Sequence, residues 1–290
     1  MNGVLNIYKE RGMTSYQVVA AVKRIAGIKR VGHTGTLDPE AEGVLPICLG
    51  RATKLVDYIM EGEKVYRASF QFGKISDTLD AFGKVQETGR PLPGKREVQE
   101  ELNSFLGTTK QIPPMYSALK VQGKRLYELA RNGEEIKREP REIHVSKLEL
   151  LSYDEISGEG IFLLFCSKGT YVRSIIDDLG RRLGPGAIMT ALVREGTGVF
   201  RQDSSVTLSG LEQDGVEEHL LGMEKVLEIF PVFVVPDSYL KLIVNGVKVK
   251  DQRLVSDVME GRYRGIDSQG NFLGILERSD DSLYLKLNLM

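Results

Sequence analysis

The apolar residues of this chain fall in short runs, and their spacing constrains the fold more than any other feature of the sequence. Residues 161–166 form such a run, which has the length of one buried strand and falls far short of the roughly 18 residues of a membrane-spanning helix. Strand-like runs are interspersed with helical patterns, without the regular alternation that builds a doubly wound parallel sheet. The pattern therefore predicts an α+β fold.

Local signals place the individual elements. Thr14 and Gln17 form a predicted capping box at the start of a helix that Gly27 ends, and Thr53 is the predicted cap of a second helix. The predicted strands are residues 4–8, 44–49, 66–72, 143–151 and 161–166. The predicted helices are residues 14–26, 53–60, 96–106, 126–132, 170–183 and 216–229.

Two further features, a long insertion and a proline-marked boundary, indicate the domain organisation of the chain. Residues 108–142, called the insertion below, are basic and largely irregular, and a long irregular segment in a compact domain is usually functional. Pro231 and Pro236 mark a predicted boundary, after which short strand-like segments follow one another. We therefore expect one domain over residues 1–230 and a small β-rich domain over residues 231–290.

The charges balance overall but are unevenly distributed. The chain has 39 Lys and Arg against 40 Asp and Glu, a net charge of −1, which argues against binding a polyanion by bulk charge. Residues 1–54 and 110–147 each carry a net charge of +4, whereas residues 202–230 carry −6. These stretches are either solvated faces or a basic surface that grips a polyanion, with the acidic stretch facing away.

The cysteines, histidines and N-terminus indicate a reduced cytoplasmic protein without a metal site. Residues 1–5 lack the basic start and apolar stretch of a signal peptide. Cys48 and Cys166 lie in apolar contexts far apart, so we expect no disulfide framework and no zinc site. The three histidines, His33, His144 and His219, do not have the spacing of metal ligands.

The most unusual segment is residues 32–39, which combine two glycines with an Asp-Pro step. Pro39 favours an extended conformation at Asp38, whose carboxylate would then project from a stiff loop. With His33 and the hydroxyls of Thr34 and Thr36 close in sequence, this carboxylate suits nucleophilic or acid–base catalysis. The alternative is a turn with side-chain caps and no chemistry.

Two other motifs offer weaker alternatives. Residues 89–95 match most of a phosphate-binding loop, but Arg96 replaces the magnesium-binding Ser or Thr, and two prolines remove backbone donors. Ser117 and Lys120 have the Ser-x-x-Lys spacing of penicillin-binding acyl enzymes, yet no Lys-Thr-Gly motif completes that site.

Five ordered segments between residues 3 and 200 carry more specific motifs. They are Gly32-His33-Thr34-Gly35-Thr36-Leu37-Asp38-Pro39 with its continuation to Pro46, then Lys64-Val65-Tyr66-Arg67-Ala68, Gln111 to Arg131, Ser167 to Gly180 and Leu192 to Phe200. Together they resemble the tRNA pseudouridine synthase B family, bacterial enzymes that convert uridine-55 of tRNA to pseudouridine. The chain departs from the family pattern at Tyr8 and Glu10, and again at Val193 and Glu195.

This resemblance implies a site built around Asp38 as the essential carboxylate. Arg173 would pair with Asp38 and orient it, and Tyr66 would stack on the uracil and take part in proton transfer. Tyr171 and Leu192 would complete the substrate pocket, and His33 would fill the space that the flipped base leaves. Whether Asp38 attacks C1′ or C6, or acts as a base while a glycal forms, stays open. No cofactor or metal is implied.

The resemblance also implies the fold and the partner. It implies the pseudouridine synthase fold, a large mixed and mainly antiparallel sheet with flanking helices, followed by a small PUA-like RNA-binding domain. The expected partner is the T-arm stem-loop of tRNA, bound by a monomer away from any membrane. The expected RNA contacts are Lys9, Lys120, Lys124, Arg125 and Arg131. The remaining alternative is a protein that binds or folds tRNA without essential chemistry.

Overall fold

The computed structural model describes residues 1–121 and 123–290. The strands are β1 (Gly3–Lys9), β2 (Val31–His33), β3 (Glu42–Leu49), β4 (Lys64–Phe72), β5 (Lys74–Ser76), β6 (Val85–Glu87), β7 (Gly107–Gln111), β8 (Lys120–Val121), β9 (Lys124–Arg125), β10 (Arg141–Tyr153), β11 (Glu159–Cys166), β12 (Ala187–Thr197), β13 (Phe200–Arg201), β14 (Leu220–Leu221), β15 (Val232–Val234), β16 (Gly261–Ile266), β17 (Phe272–Ser279) and β18 (Ser282–Asn288). The α-helices are α1 (Ser15–Ala26), α2 (Val56–Glu61), α3 (Lys95–Asn103), α4 (Leu126–Arg131), α5 (Val172–Leu183), α6 (Leu208–Asp214), α7 (Asp237–Val244) and α8 (Gln252–Val255). Short 3₁₀ helices cover Gly50–Leu55, Gln202–Ser204 and Lys225–Leu227.

A large, mainly antiparallel sheet forms the centre of the molecule. Its strand order is β14-β1-β3-β12-β4-β11-β10-β7, with β2 paired to β3 and β13 paired to β12. Within this sheet β12 and β3 run parallel, whereas the other strand pairs are antiparallel. The sheet brings β3, β4 and β12 side by side although they are distant in sequence. The predicted α+β class, with a mainly antiparallel sheet and flanking helices, is confirmed.

The two faces of the sheet pack into two different apolar clusters. On β3, Leu45 and Ile47 contribute to a core that helices α1, α3 and α5 cover. Val44 and Cys48 point the other way, into a cluster that also contains Ile59 of α2. Successive side chains of a strand point to opposite faces, so β3 is buried on both sides and its residues form a nearly continuous apolar run.

The last sixty residues form a second, smaller sheet. Its order is β15-β16-β17-β18, and α7 and α8 help to enclose its own apolar cluster. Ile275 and Leu289 do not belong to that cluster and are instead buried against α2 and the preceding 3₁₀ helix. An ion pair of 2.6 Å between Arg262 and Glu61 lies across the same junction. The predicted β-rich C-terminal part is therefore present, with two unpredicted helices, α7 and α8.

Several local predictions are confirmed and two are wrong. Thr14 and Gln17 form the capping box of α1, and Gly27 ends that helix in the left-handed conformation. The predicted helix over residues 216–229 is wrong, because α6 ends at Asp214, Gly215 follows it with a φ of 89°, and residues 220–221 pair with β1 instead. Thr53 caps no helix: its hydroxyl donates to the Gly50 carbonyl at 2.8 Å within the 3₁₀ helix.

No helix in the described ranges, 1–121 and 123–290, is long and apolar enough to cross a membrane.

Candidate active site

The loop that carries Asp38 connects β2 with β3 and is anchored at both ends. The Thr34 amide donates to the Pro46 carbonyl at 3.0 Å, and the Thr34 side chain is fully buried. The Leu37 amide donates to the hydroxyl of Ser15, the first residue of α1, at 2.9 Å. These bonds hold the backbone on either side of Gly35, which adopts a φ of 98° that favours glycine. The loop is thus fixed to both the sheet and α1.

Lys9 supports this loop from inside the protein. Its side chain is fully buried, and its ammonium group donates to the carbonyls of Met13 at 2.6 Å, Glu10 at 3.0 Å and Pro39 at 3.1 Å. Burial lowers the pKa of Lys9 to about 8, against the raising effect of the Asp38, Glu40 and Glu42 charges. The expectation that Lys9 contacts RNA is therefore wrong, because all three ammonium hydrogens are directed at the backbone.

Arg173, in the first turn of α5, forms an ion pair with Asp38. The two side chains approach to 2.8 Å, between Nη2 of Arg173 and Oδ2 of Asp38. The Arg173 side chain is 7% exposed and the Asp38 side chain is 45% exposed. Nη1 of Arg173 also donates to the Thr78 carbonyl at 3.1 Å, and Nη2 donates to the Tyr116 carbonyl at 2.8 Å. The guanidinium is thus held in place, and the carboxylate beside it is open to solvent.

Asp80 is a second carboxylate beside Arg173, and no sequence motif indicated this role. Its Oδ2 lies 3.6 Å from Nη1 of Arg173, and its side chain is 12% exposed. Its Oδ1 accepts from the Thr78 hydroxyl at 2.6 Å and from the Phe82 amide at 3.0 Å. Arg173 therefore lies between an exposed carboxylate and a largely buried one whose Oδ1 is hydrogen-bonded, which fixes the direction from which it meets Asp38.

A cavity of about 280 Å³ opens beside Asp38. Its walls come from the Asp38 loop, the start of the insertion, the turn before α5, and strands β4 and β12. The lining residues used below are Asp38, Tyr66, Ser117, Tyr171, Arg173, Leu192 and Arg194. The structure thus gathers Asp38, Tyr66, Tyr171, Arg173 and Leu192 around one space.

The aromatic and apolar walls of the cavity are firmly placed. Tyr66 lies on β4, where burial raises the pKa of its hydroxyl and the charge of Arg194 opposes that rise. The backbone of Tyr171 is held by Gln111, which accepts from its amide at 2.8 Å and donates to its carbonyl at 3.0 Å. Leu192 is buried on β12. These three side chains give the cavity flat and apolar walls of the kind that a nucleobase contacts.

His33 lies outside the cavity, whereas Thr36 of the same loop lines it. His33 is half-buried at the end of β2. Burial lowers the pKa of His33, and its Nδ1 has no hydrogen-bond partner within the described residues.

No group of three or more His, Cys, Asp or Glu in the described part of the chain is arranged to hold a metal ion.

The insertion carries the four other cations that were expected to contact RNA. Lys120, Lys124, Arg125 and Arg131 are all exposed. Lys120 pairs with Arg125 in the two-stranded β8–β9 hairpin, and Arg125 and Arg131 lie over the ring of Tyr127 at 5.9 and 5.5 Å. The structure therefore gathers these cations on one small unit beside the cavity.

The acyl-enzyme alternative requires a hydrogen bond between Ser117 and Lys120. The Ser117 hydroxyl lines the cavity but has no hydrogen-bond partner among residues 1–121 and 123–290, so Lys120 does not activate it in this structure.

Comparisons with known proteins now place the chain in a family. Residues 23–172 match the model described as "TruB family pseudouridylate synthase (N terminal domain)", and residues 173–228 match the "tRNA pseudouridylate synthase B C-terminal domain". A "tRNA pseudouridine synthase B" of Clostridium perfringens is 47% identical over 290 residues, 99% of this chain and 98% of that one. Another, of Clostridium acetobutylicum, is 45% identical over 282 residues, 97% of each chain.

A solved structure agrees at the level of the fold. A chain in the crystal structure of a Cbf5–Nop10–Gar1 complex superposes with a TM-score of 0.75 and 24% identity, covering 99% of this chain and 85% of that one. The expected resemblance is confirmed by the two family models and by relatives matched over nearly their full length. The chain therefore belongs to the TruB family of pseudouridylate synthases.

Proposed function

We propose that this protein isomerises uridine-55 in the T-loop of tRNA to pseudouridine, with Asp38 as the essential carboxylate and without a cofactor. The observation that carries the proposal is the pair of Asp38 and Arg173, 2.8 Å apart at a cavity that Tyr66, Tyr171 and Leu192 also line. Membership of the TruB family and relatives named tRNA pseudouridine synthase B support the same reaction class and the same substrate.

The reaction moves the uracil from one carbon–nitrogen bond to a carbon–carbon bond. The N1–C1′ bond breaks, the base turns, and C5 bonds to C1′ while the C5 proton is lost and N1 gains a proton. Asp38 provides the anionic oxygen, either as a nucleophile at C1′ or C6 or as a base that yields a glycal. Arg173 orients that oxygen through its bond to the carboxylate. Tyr66 stacks on the base and takes part in proton transfer.

The cavity is of a size to admit a flipped base and not a stem of RNA. Its volume of about 280 Å³ fits one nucleobase with part of its sugar. A target base inside a folded T-loop is inaccessible to Asp38, so the base must leave its stack before it reacts. His33, outside the cavity, fills the vacated space in this proposal.

Affinity comes from contacts outside the cavity. The exposed cations of the insertion, Lys120, Lys124, Arg125 and Arg131, bind phosphates of the T-arm, and their contacts position the RNA without reading its sequence. The C-terminal residues 231–290 act as a second, PUA-like RNA-binding domain that supplies no catalytic group. No residue of that segment lines the cavity.

Position-specific mapping of pseudouridine tests the proposal. The purified protein is incubated with an unmodified tRNA transcript, and pseudouridine is located by carbodiimide modification and primer extension. We expect a single new stop that reports position 55, and none in a matched transcript with cytidine at that position. Binding without any new stop would favour the alternative, a tRNA-binding or tRNA-folding protein, and a stop elsewhere would refute the assigned target.

A further inference from the structure

Arg194 is a buried cation at the back of the cavity, and no role has been given to it above. It lies on β12 and is 1% exposed. Its Nε donates to the Val44 carbonyl at 2.7 Å, and its Nη2 donates to the Gly35 carbonyl at 3.2 Å. Within residues 1–121 and 123–290, no carboxylate oxygen lies within 4.0 Å of its guanidinium nitrogens. Its charge is therefore buried without a counter-ion.

A buried charge of this kind is costly for the fold. Removing a guanidinium from water is costly, and carbonyl groups compensate for less of that cost than a carboxylate would. An apolar side chain could fill the same volume at lower cost. Arg194 therefore needs an explanation beyond packing, and its neighbours indicate one.

The guanidinium connects the two parts of the site that come from different segments. Gly35, which accepts from Nη2, lies three residues before Asp38 in the same anchored loop. Tyr66 is directly opposite Arg194 in the β12–β4 pairing, and side chains of directly paired antiparallel residues lie on the same face. Both side chains line the cavity, and the charge of Arg194 lowers the pKa of the Tyr66 hydroxyl, against the raising effect of burial.

The backbone around Arg194 leaves room for this arrangement. Gly43 is the parallel neighbour of Arg194 on β3, and a Cβ atom at Gly43 would lie 2.3 Å from the Arg194 carbonyl oxygen. Gly43 also has a φ of 109°, which side-chain-bearing residues rarely adopt. The glycine lets β3 and β12 approach closely enough for Nε of Arg194 to reach the Val44 carbonyl. The close strand pair thus aims the guanidinium at the Asp38 loop.

We propose that Arg194 is a positioning residue of the reaction, which joins the Asp38 loop and the Tyr66 hydroxyl into one rigid unit. This inference rests on the proposed function, because it assigns Tyr66 a part in proton transfer. Arg194 acts through Tyr66 and the Gly35 carbonyl and makes no bond to the reacting atoms itself. Its loss should slow the chemical step and leave tRNA affinity unchanged, since phosphate contacts elsewhere supply that affinity.

A double-mutant cycle between Arg194→Gln and Tyr66→Phe tests this role. Single-turnover pseudouridine formation, tRNA affinity and melting temperature are measured for the wild type, both single variants and the double variant. In the wild-type background we expect Arg194→Gln to slow the chemical step about tenfold to a hundredfold, the worth of a hydrogen bond to a charged group. In the Tyr66→Phe background the same change should cost no more than about threefold, because the hydroxyl that it positions is gone.

Two further variants make the outcome decisive. Arg67→Gln, on the adjacent position of β4, removes an exposed cation that pairs with Glu195 at 2.6 Å and should leave the rate unchanged. Arg194→Lys keeps the charge but loses the forked geometry, so its rate should lie between the wild type and Arg194→Gln. If Arg194→Gln does not fold, Arg194→Lys takes its place in the cycle.

Independent effects of the two substitutions on the rate would overturn the inference. If the fold-decreases in rate from Arg194→Gln and Tyr66→Phe multiply in the double variant, Arg194 acts on the overall structure and not through the Tyr66 hydroxyl. An equal loss in tRNA affinity would also contradict a positioning role. If the wild type itself forms no pseudouridine in tRNA, the proposed function fails, and this outcome is distinct from a multiplicative cycle in an active enzyme.

Discussion

At the residue scale, the site is a short chain of charges in which each side chain restricts the next. Asp80 is bonded to Thr78 and Phe82 and lies 3.6 Å from Arg173, which in turn lies 2.8 Å from Asp38. The exposed end of this chain is the carboxylate assigned to catalysis. The buried end has no access to substrate, so its influence must pass through the orientation of Arg173.

This arrangement predicts a specific defect in Asp80→Asn. The amide keeps the size of the carboxylate but removes its charge from Arg173, which is then free to turn from Asp38. We expect turnover to fall by about tenfold or more, corresponding to about 1.4 kcal/mol of transition-state stabilisation, with tRNA affinity nearly unchanged. Asp77→Asn is the matched control, because the Asp77 carboxylate accepts from the Lys84 amide and makes no ion pair with Arg173. Equal rates for the two variants would exclude a role for Asp80.

Replacing Lys9 should lower the stability of the protein and not slow the chemical step directly. Lys9→Met leaves the carbonyls of Glu10, Met13 and Pro39 without their common donor, and unsatisfied buried carbonyls are costly. We expect the free energy of unfolding at pH 7 to fall by about 2–4 kcal/mol in urea titrations. A variant as stable as the wild type would mean that water or a loop rearrangement satisfies these carbonyls.

The same residue predicts a pH dependence. The pKa of Lys9 is about 8 in the folded protein, below its ordinary value of 10.5, so between these values the unfolded chain binds a proton that the folded protein has lost. Stability rises with pH wherever the unfolded state binds more protons, so the free energy of unfolding of the wild type should rise relative to that of Lys9→Met above pH 8. The difference between the two free energies of unfolding should grow by about 2 kcal/mol between pH 7 and pH 9.5. A constant difference would contradict the lowered pKa.

The sequence identified the candidate catalytic residues but not the buried residues that hold them in position. Asp38 could be singled out because an Asp-Pro step in a glycine-bearing loop has a local signature, and Arg173 and Tyr66 followed from family motifs. Asp80 and Arg194 acquire their places only through contacts between segments that lie far apart in the chain. Lys9 was misjudged because a lysine is normally exposed, and only the fold shows the three carbonyls around its ammonium group.

At the scale of elements, the insertion is a small basic unit beside the cavity. The β8–β9 hairpin and α4 present Lys120, Lys124, Arg125 and Arg131 to solvent, while Leu126 and Leu129 are buried beneath them. Arg173 also reaches the base of the insertion through the Tyr116 carbonyl. The position of the insertion is thus coupled to the ion pair with Asp38.

Neutralising the four insertion cations together should weaken tRNA binding in a salt-dependent way. Each phosphate contact releases condensed counter-ions, so the slope of log affinity against log salt should flatten by up to about four units. Filter binding at several salt concentrations measures the slope. The control neutralises four exposed cations that lie outside the insertion and the cavity, namely Lys95, Arg96, Lys147 and Lys225. An unchanged slope in the insertion variant would make these residues a solvated face.

Elements with strong local signals were predicted well, and elements defined by distant partners were not. The capping box and terminal glycine place α1 within a residue of its observed bounds. Strand β7 was hidden in the insertion because its identity depends on pairing with β10 at the sheet edge. The predicted helix over residues 216–229 failed for the same reason, since Leu220 and Leu221 pair with β1.

At the scale of the whole molecule, the C-terminal part is joined to the rest by a shared apolar cluster. Ile275 and Leu289 are buried with Val4, Leu55 and Ile59, and the ion pair of Arg262 with Glu61 lies beside them. From the sequence, residues 231–290 were expected to form a separate small domain. The shared cluster indicates instead that their removal exposes apolar surface on the catalytic part.

Truncation before Pro231 should therefore lower stability and tRNA affinity while sparing the chemistry. We expect the melting temperature to fall by several degrees, consistent with a loss of a few kcal/mol of apolar burial. Residual turnover on a T-arm stem-loop at low temperature should persist, because every residue that lines the cavity precedes Pro231. Complete loss of turnover in a truncated protein that remains folded by circular dichroism would contradict this division of roles.

The central claim is that Asp38 performs the chemistry, and Asp38→Asn tests it most directly. Tritium release from tRNA labelled at C5 of uridine reports the lost C5 proton, and filter binding on the same preparations reports affinity. The asparagine keeps the size of the side chain but has no anionic oxygen, so release should fall by many powers of ten while binding persists. Near-normal release from folded Asp38→Asn protein would contradict the account and direct the search to another carboxylate.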